Sequence, residues 1–283
     1  MSNALEIKGL TKTYGNFKLD AIDLSLPSGC IMGLVGENGA GKSTTVKLIF
    51  DMIHRDSGSI KILGCDNKRE LHLVKEDIGL VTDDVGIHGC LTAVQVEKIM
   101  KWTFKRWDSA EYRKLIKQFS VPENKMFGEL SRGMRMKVGI AVAMSHGAKL
   151  LILDEATSGL DPVARDELLD MLFDFTRSEE NSVLISSHIV SDLEKICDYI
   201  AFLHRGRLIL CEEKDRLKAE YGIIRCSEEE LAALPAKAVK YKKSNPYGVE
   251  AVVTRRHIPY EYENEISPIS IEELFVFTVK GDR

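Results

Sequence analysis

The chain has 283 residues, is 44% hydrophobic and 29% charged, and carries a formal net charge of -4. That size suits one large domain with a small appendage, and the acidic balance excludes the basic face that a nucleic-acid backbone demands, so no nucleic-acid partner is expected. The longest apolar run, Val138 to Met144, falls far short of the about 20 residues a membrane-spanning helix needs. The start, Met1-Ser2-Asn3-Ala4-Leu5-Glu6, has neither the basic head nor the apolar stretch of a secretion signal, and a cytoplasmic location is expected. Cys30, Cys65, Cys90, Cys197, Cys211 and Cys226 form no Cys-x-x-Cys pair, which points to free thiols rather than zinc ligands or disulfides.

In chain order, Leu5 and Ile7, Phe17 and Leu19, and Leu24 and Leu26 alternate in the manner of strands, with turns expected at Gly9 and at Gly15-Asn16; a small antiparallel sheet follows. Ile31 to Val35 is an apolar run that leads through glycine-rich residues into helical spacing from Ser43 to Phe50, a strand, loop and helix unit. From about 66 to 145 the pattern turns helical, through Leu71 and Val74, then Val94, Ile99 and Trp102, with Asp108-Ser109-Ala110-Glu111 resembling a capping box. Strands and helices then alternate. Leu150 to Leu153 is a strand, a helix starts at Pro162 with Leu168, Leu172 and Phe175 on one face, and Val183 to Ser186 and Ile200 to Leu203 are further strands. Such alternation predicts a parallel sheet covered by helices. Beyond about 222 the character changes, with an Ala-Leu-Pro break, a basic run from Lys237 to Lys243 and strand-like Val249 to Val253. A small mixed unit is expected, its Ile271 to Phe275 forming a helix that packs back on the body.

Chemistry concentrates in a few segments. Gly36-Glu37-Asn38-Gly39-Ala40-Gly41-Lys42-Ser43 fits a phosphate loop, placed after a buried strand and at the start of a helix. Its glycines let backbone N–H groups close around phosphate oxygens, the helix N-terminus adds its positive end, Lys42 reaches the β- and γ-phosphates, and Ser43 offers a hydroxyl to Mg²⁺. Leu150-Leu151-Ile152-Leu153-Asp154-Glu155 sets two carboxylates at the C-terminal end of a buried strand, where open α/β sheets bind ligands. Asp154 is assigned to Mg²⁺, and Glu155 to the water that attacks the γ-phosphate.

Taken with Leu130-Ser131-Arg132-Gly133-Met134, Ser158-Gly159-Leu160-Asp161, Ser187-His188 and Thr13-Tyr14-Gly15, these motifs make residues 4–215 resemble the ATP-binding cassette of ABC transporters. The resemblance is to exporter-type cassettes whose permease is a separate chain. It implies an α/β fold: a P-loop NTPase core with a mixed, mainly parallel sheet, an N-terminal antiparallel β subdomain, a helical signature subdomain at about 84–147 and a small C-terminal α+β appendage at 222–283.

The resemblance also implies ATP and Mg²⁺ as cofactors. Tyr14 would stack on adenine, residues from Gly36 through Thr44 (Glu37, Asn38, Gly39, Ala40, Gly41, Lys42 and Ser43 between them) would hold the phosphates, and His188 would contact the γ-phosphate or the lytic water. Ser131 and Gly133 would close over ATP held by a second cassette, identical or related, in a head-to-tail dimer that Asp161 also contacts. The implied partner is an integral membrane permease, its coupling helix received by the groove of Asp83 to Trp107, which would place the chain peripherally on the inner face of the membrane.

Two departures from the family pattern stand out. Arg132 and Met134 replace a glycine and a glutamine of the usual signature, with γ-phosphate capture expected to survive. Asp83 replaces a glutamine that ordinarily touches Mg²⁺, and as a possible direct metal ligand it predicts altered coupling. The rival readings are a soluble ABC ATPase of ribosomes or DNA, a P-loop kinase or GTPase, and a low-turnover regulatory cassette. The first lacks its second cassette, coiled coil and basic face, the second lacks an Asn-Lys-x-Asp segment, and Glu155 with His188 argues against the third.

Overall fold

The computed structural model describes residues 2–82, 84–246 and 248–281. Strands β1 (Asn3–Tyr14) and β2 (Phe17–Pro27) form a hairpin closed by Gly15-Asn16, with Tyr14 opposite Phe17. Gly15 supplies the positive φ, 47°, that a two-residue hairpin turn requires. Gly9 does not end a strand as expected. β1 runs through it, and the register shifts between Ile7 and Leu10, so the glycine marks a bulge.

The chain continues through β3 (Ile31–Val35), α1 (Lys42–Ile49), β4 (Ser57–Ile62), β5 (Cys65–Asp66), α2 (Leu71–Val74) and β6 (Ile78–Val81). The first sheet has the order β2-β1-β4-β5, and β4 and β5 are additions to what the sequence pattern indicated. β6 corrects the helical reading of 66 to 145, because Ile78–Val81 pairs in parallel with the strand at Leu150–Leu153. The rest of the reading holds on either side of it, in α2 before the strand and in α3 (Ala93–Thr103), α4 (Ser109–Gln118) and α5 (Arg132–Met144) after it. Thr92 and Gln95 form a reciprocal cap at the start of α3. At α4 the capping is one-sided: the Asp108 carboxylate accepts from the N–H groups of Ala110 and Glu111, while Glu111 turns to Lys114.

After α5 come β7 (Leu150–Asp154), α6 (Pro162–Phe175), β8 (Ser182–Ser187), α7 (Val190–Ile196), β9 (Tyr199–His204) and β10 (Arg207–Glu213). The central sheet has the order β10-β9-β3-β8-β7-β6, parallel except for β10. β3 and β7 are buried along their whole length, as a sheet covered on both faces requires. Their side chains divide by alternation. Ile31, Val35, Leu151 and Leu153 join the apolar cluster that includes Val96, Leu115, Met136 and Leu168. Met32, Leu34, Leu150 and Ile152 join the cluster of α1 and the N-terminal sheet.

The remainder comprises α8 (Lys214–Glu220), β11 (Tyr221–Cys226), α9 (Glu228–Ala233), β12 (Val239–Asn245), β13 (Gly248–Thr254), β14 (Ser267–Pro268) and α10 (Ile271–Lys280). An antiparallel sheet of order β12-β13-β11-β14 encloses a small core of Ile224, Leu231, Leu234, Val249, Ala251 and Val253. Lys240, Lys242 and Lys243 of the basic run lie on β12, an edge strand, where lysines discourage further strand pairing. α10 packs on the body as expected: Phe275 meets Phe202 edge-on at 5.1 Å, and the Ile271 N–H donates to Glu194 of α7 at 3.1 Å. All six cysteines are free.

Candidate active site

Strand register decides what meets at the sheet edge. Val35 pairs with Ser187, and Asp154 with Ser186, so the residues that follow β3, β7 and β8 leave the same C-terminal edge together. They are the phosphate loop from Gly36, then Glu155, then His188.

The loop is tightly seated. A Cβ on Gly36 would stand 2.6 Å from the Leu203 carbonyl oxygen and 3.0 Å from the Ala40 Cβ, so only glycine fits. The β9–β10 turn holds the loop from the other side, with the Gly206 N–H donating to the Ala40 carbonyl at 2.9 Å. Gly41 precedes α1 with φ 113°, a conformation that L side chains rarely adopt. It turns the first N–H groups of α1 outward, and these unpaired donors with the helix dipole make the anion site.

Lys42, though a lysine, is buried. Its ammonium donates to the Gly36 carbonyl at 2.6 Å and the Glu37 carbonyl at 3.3 Å, and lies 3.0 Å from Glu155 Oε1. That oxygen is buried and receives no aligned hydrogen bond, so the contact is a Coulombic one. The other carboxylate oxygen, Oε2, is 2.7 Å from His188 Nδ1. Glu155 has φ 55°, left-handed and costly for a side chain with Cβ. Its backbone is pinned there by N–H bonds to the Ser186 carbonyl (3.1 Å) and hydroxyl (3.2 Å). The Ser186 hydroxyl in turn donates to the Asp154 carboxylate in a short hydrogen bond.

A cavity of about 380 Å³ opens here, lined by Phe17, Glu37, Asn38, Gly39, Gly41, Lys42, Ser43, Thr44 and Glu155. Of the residues assigned from sequence, the phosphate loop apart from Gly36 and Ala40, Thr44 and Glu155 line it directly, with His188 bonded to Glu155. Asp154 lies beneath Glu155, with its carboxylate buried. Tyr14 does not line the cavity: it is 43% exposed, with Lys12 Nζ 5.1 Å from its ring centroid. Its hairpin partner Phe17 does line the cavity, an aromatic that the sequence pattern marked only as a strand residue. Ser131, Gly133 and Asp161 also lie outside. Ser131 caps α5, its hydroxyl accepting the Met134 N–H, and Asp161 caps α6. Backbone N–H bonds, from Ala164 first, hold the Asp161 carboxyl below its ordinary pKa. The two loops touch, since a Cβ on Gly133 would meet Leu160 Cδ2 at 3.3 Å. Asp83 lies outside the described residues. Ser43 and Asp154 are both oxygen donors, which suits Mg²⁺, an ion that takes one or two protein oxygens and completes its shell with phosphate and water.

The fold and this edge are those of a nucleotide-binding P-loop ATPase. The ABC transporter family model matches residues 19–158. The chain is 29% identical over 291 aligned residues to the ABC transporter ATP-binding protein YtrB of Bacillus subtilis, covering 99% of each chain. It is 33% identical to the lantibiotic transport ATP-binding protein SrtF of Streptococcus pyogenes, covering 75% of this chain and 91% of that one. A solved ATP-binding subunit of an ABC transporter superposes with a TM-score of 0.69 at 26% identity, covering 76% and 92% of the two chains. The chain belongs to the ABC transporter family, as an ATP-binding subunit. Among the described residues no helix is long and apolar enough to cross a membrane.

Proposed function

We propose that this chain hydrolyses ATP in the Lys42–Glu155–His188 cavity, as one of two head-to-tail cassettes, and that the cycle drives export through a separate integral membrane permease. The contact chain Lys42–Glu155–His188, with Lys42 and Glu155 lining one cavity, carries the reading. ATP enters as the phosphates take the place of Glu155 beside Lys42 and bind the first N–H groups of α1. Phe17, rather than Tyr14, offers the apolar surface for the nucleotide. Mg²⁺, held by Ser43 and Asp154, would supply charge neutralisation of the β- and γ-phosphates.

Glu155 then accepts a proton from the lytic water as its oxygen attacks the γ-phosphorus and the bond to the ADP oxygen breaks. His188, whose Nδ1–H donates to Glu155, orients that carboxylate beside the γ-phosphate. Ser131 and Gly133 lie outside the chain's own cavity, which fits their use on ATP held by a second cassette, with Asp161 at that junction. The names of YtrB and SrtF, both ATP-binding proteins of transport systems, support a membrane partner.

A cavity of about 350 Å³ beside α3 and α4, lined by Ala93, Val94, Glu97, Tyr112, Arg113, Ile116 and Glu123, suits the permease's coupling segment. We place the cassette at about 4–215 and the appendage at 222–283.

Purification of tagged chain from detergent-solubilised membranes of its host, with mass spectrometry of what accompanies it, tests the reading. A multi-helix membrane protein is the expected companion. Ribosomes, DNA or no membrane protein would overturn it in favour of a soluble ABC ATPase.

A further inference from the structure

The outer face of α3 is unusual for an acidic protein. Trp102 is 92% exposed and Ile99 44% exposed, and Trp102 makes no ring contact among the described residues. A large aromatic exposed beside a second apolar side chain and rimmed by polar residues marks an interaction surface. Lys98, Lys101 and Trp102 follow one another at i, i+3 and i+4, which places them on one helix face, and Lys105 continues the line just past the helix end. All three lysines are exposed. None forms an ion pair within 4.0 Å among the described residues, although Lys101 lies within Coulombic range of Glu97. That acid, the single one between 93 and 107, is buried at the border of this face and held by Arg113 at 2.8 Å. Arg106 is committed to Asp77 at 2.6 Å.

The face is also rigidly presented. Thr92 and Gln95 cap the start of α3, and Phe104 at its end stacks flat on buried His146 at 4.1 Å. Trp102 therefore stays on its helix face, directed outward, rather than on a loop that could fold it in.

We propose that this face, Lys98, Ile99, Lys101, Trp102 and Lys105, docks directly on a bilayer surface rich in anionic phospholipid. Lysine is depleted from protein–protein interfaces, where arginine and aromatics dominate. Free lysines around an exposed tryptophan are instead the composition of an interfacial membrane contact: the indole settles at headgroup depth, and the stems of the lysines lie along the apolar boundary while their ammonium groups meet phosphate. The patch adjoins the α3–α4 cavity, so a permease seated there would bring the same face to the bilayer. The contact itself needs no permease.

The test is co-sedimentation of the purified full chain with vesicles of phosphatidylcholine alone and of phosphatidylcholine mixed with phosphatidylglycerol. Binding is expected only to the anionic vesicles and should weaken with salt. Each lysine near an anionic surface contributes about fivefold to partitioning, so the combined Lys98→Gln, Lys101→Gln and Lys105→Gln variant should bind about 100-fold more weakly. Trp102→Ala should bind more weakly with the salt slope kept. All these sites are exposed, and ATP binding by each variant verifies its fold. Equal binding to both vesicle types, or wild-type binding by the lysine variant, overturns the proposal. So does a patch whose variants lose a co-purifying permease while the wild type ignores lipid, which would make it a protein interface.

Discussion

Replacing Gly36 by alanine asks whether the phosphate loop is as closely seated as its contacts indicate. The new Cβ would stand 2.6 Å from the Leu203 carbonyl oxygen, an approach that real Cβ atoms essentially never show, and 3.0 Å from the Ala40 Cβ. Both neighbours are constrained. Leu203 belongs to β9, paired with β3 and β10, and Ala40 is tied to Gly206. Relief requires the loop to move by several tenths of an ångström, which overpacking measurements place at about 2 kcal/mol. For a chain of this size that lowers the melting temperature by roughly 3 °C, and loss of the cradle geometry should weaken ATP binding by tenfold or more, about 1.4 kcal/mol. Gly39→Ala is the control. Its Cβ would meet nothing within 4 Å, although its φ of 79° still carries a left-handed penalty of about 1 kcal/mol. Thermal melts and calorimetric ATP titrations of the two variants read the difference. If Gly36→Ala matched wild type in both, or cost no more than Gly39→Ala, the close contact of the loop with β9 would be refuted.

Burial lowers the pKa of His146, which stacks on Phe104 and bonds the Glu76 carbonyl. The unfolded chain therefore binds more protons here, and stability should fall as pH drops below about 6.5, the unperturbed value; His146→Gln should flatten that part of a melting-temperature profile relative to wild type. Asp161→Ala removes the acceptor for the Val163 and Ala164 N–H groups and should cost about 1 kcal/mol in denaturant melts. Leu274→Ala, on the buried face of α10 at 1% exposure, should cost about 2–5 kcal/mol; a loss under half that in the same melts would mean that α10 is only loosely docked.

The candidate edge was legible in the residues because its parts are short, local and chemically specific: Gly36 to Ser43, Asp154-Glu155 and Ser187-His188 each sit at a strand end whose apolar run is unmistakable. Their meeting depends on strand order, which no local pattern encodes. β6 was hidden in a helical stretch, because Ile78-Gly79-Leu80-Val81 is four residues long and an apolar run so short fits either period. β4, alternating polar and apolar over Ser57–Ile62, was masked by the glycine in its second position. Gly9 signals a bulge as well as a turn, and only the partner strand distinguishes them. Tyr14 and Phe17 stand opposite each other on one hairpin; the sequence nominated Tyr14 alone, and which of the pair lines the cavity is a matter of three-dimensional placement that the motif does not carry. Ser186, which pins Glu155 and bonds Asp154, had no motif of its own.

The central claim is that Glu155 serves the chemistry of ATP hydrolysis in this chain. Single-turnover phosphate release from the membrane-purified complex, assembled with wild type or with Glu155→Gln, measures it directly. The glutamine keeps the shape of the side chain but gives up the proton acceptor, so ATP should remain bound while release slows by about 10²- to 10⁴-fold. Release at the wild-type rate would contradict the account.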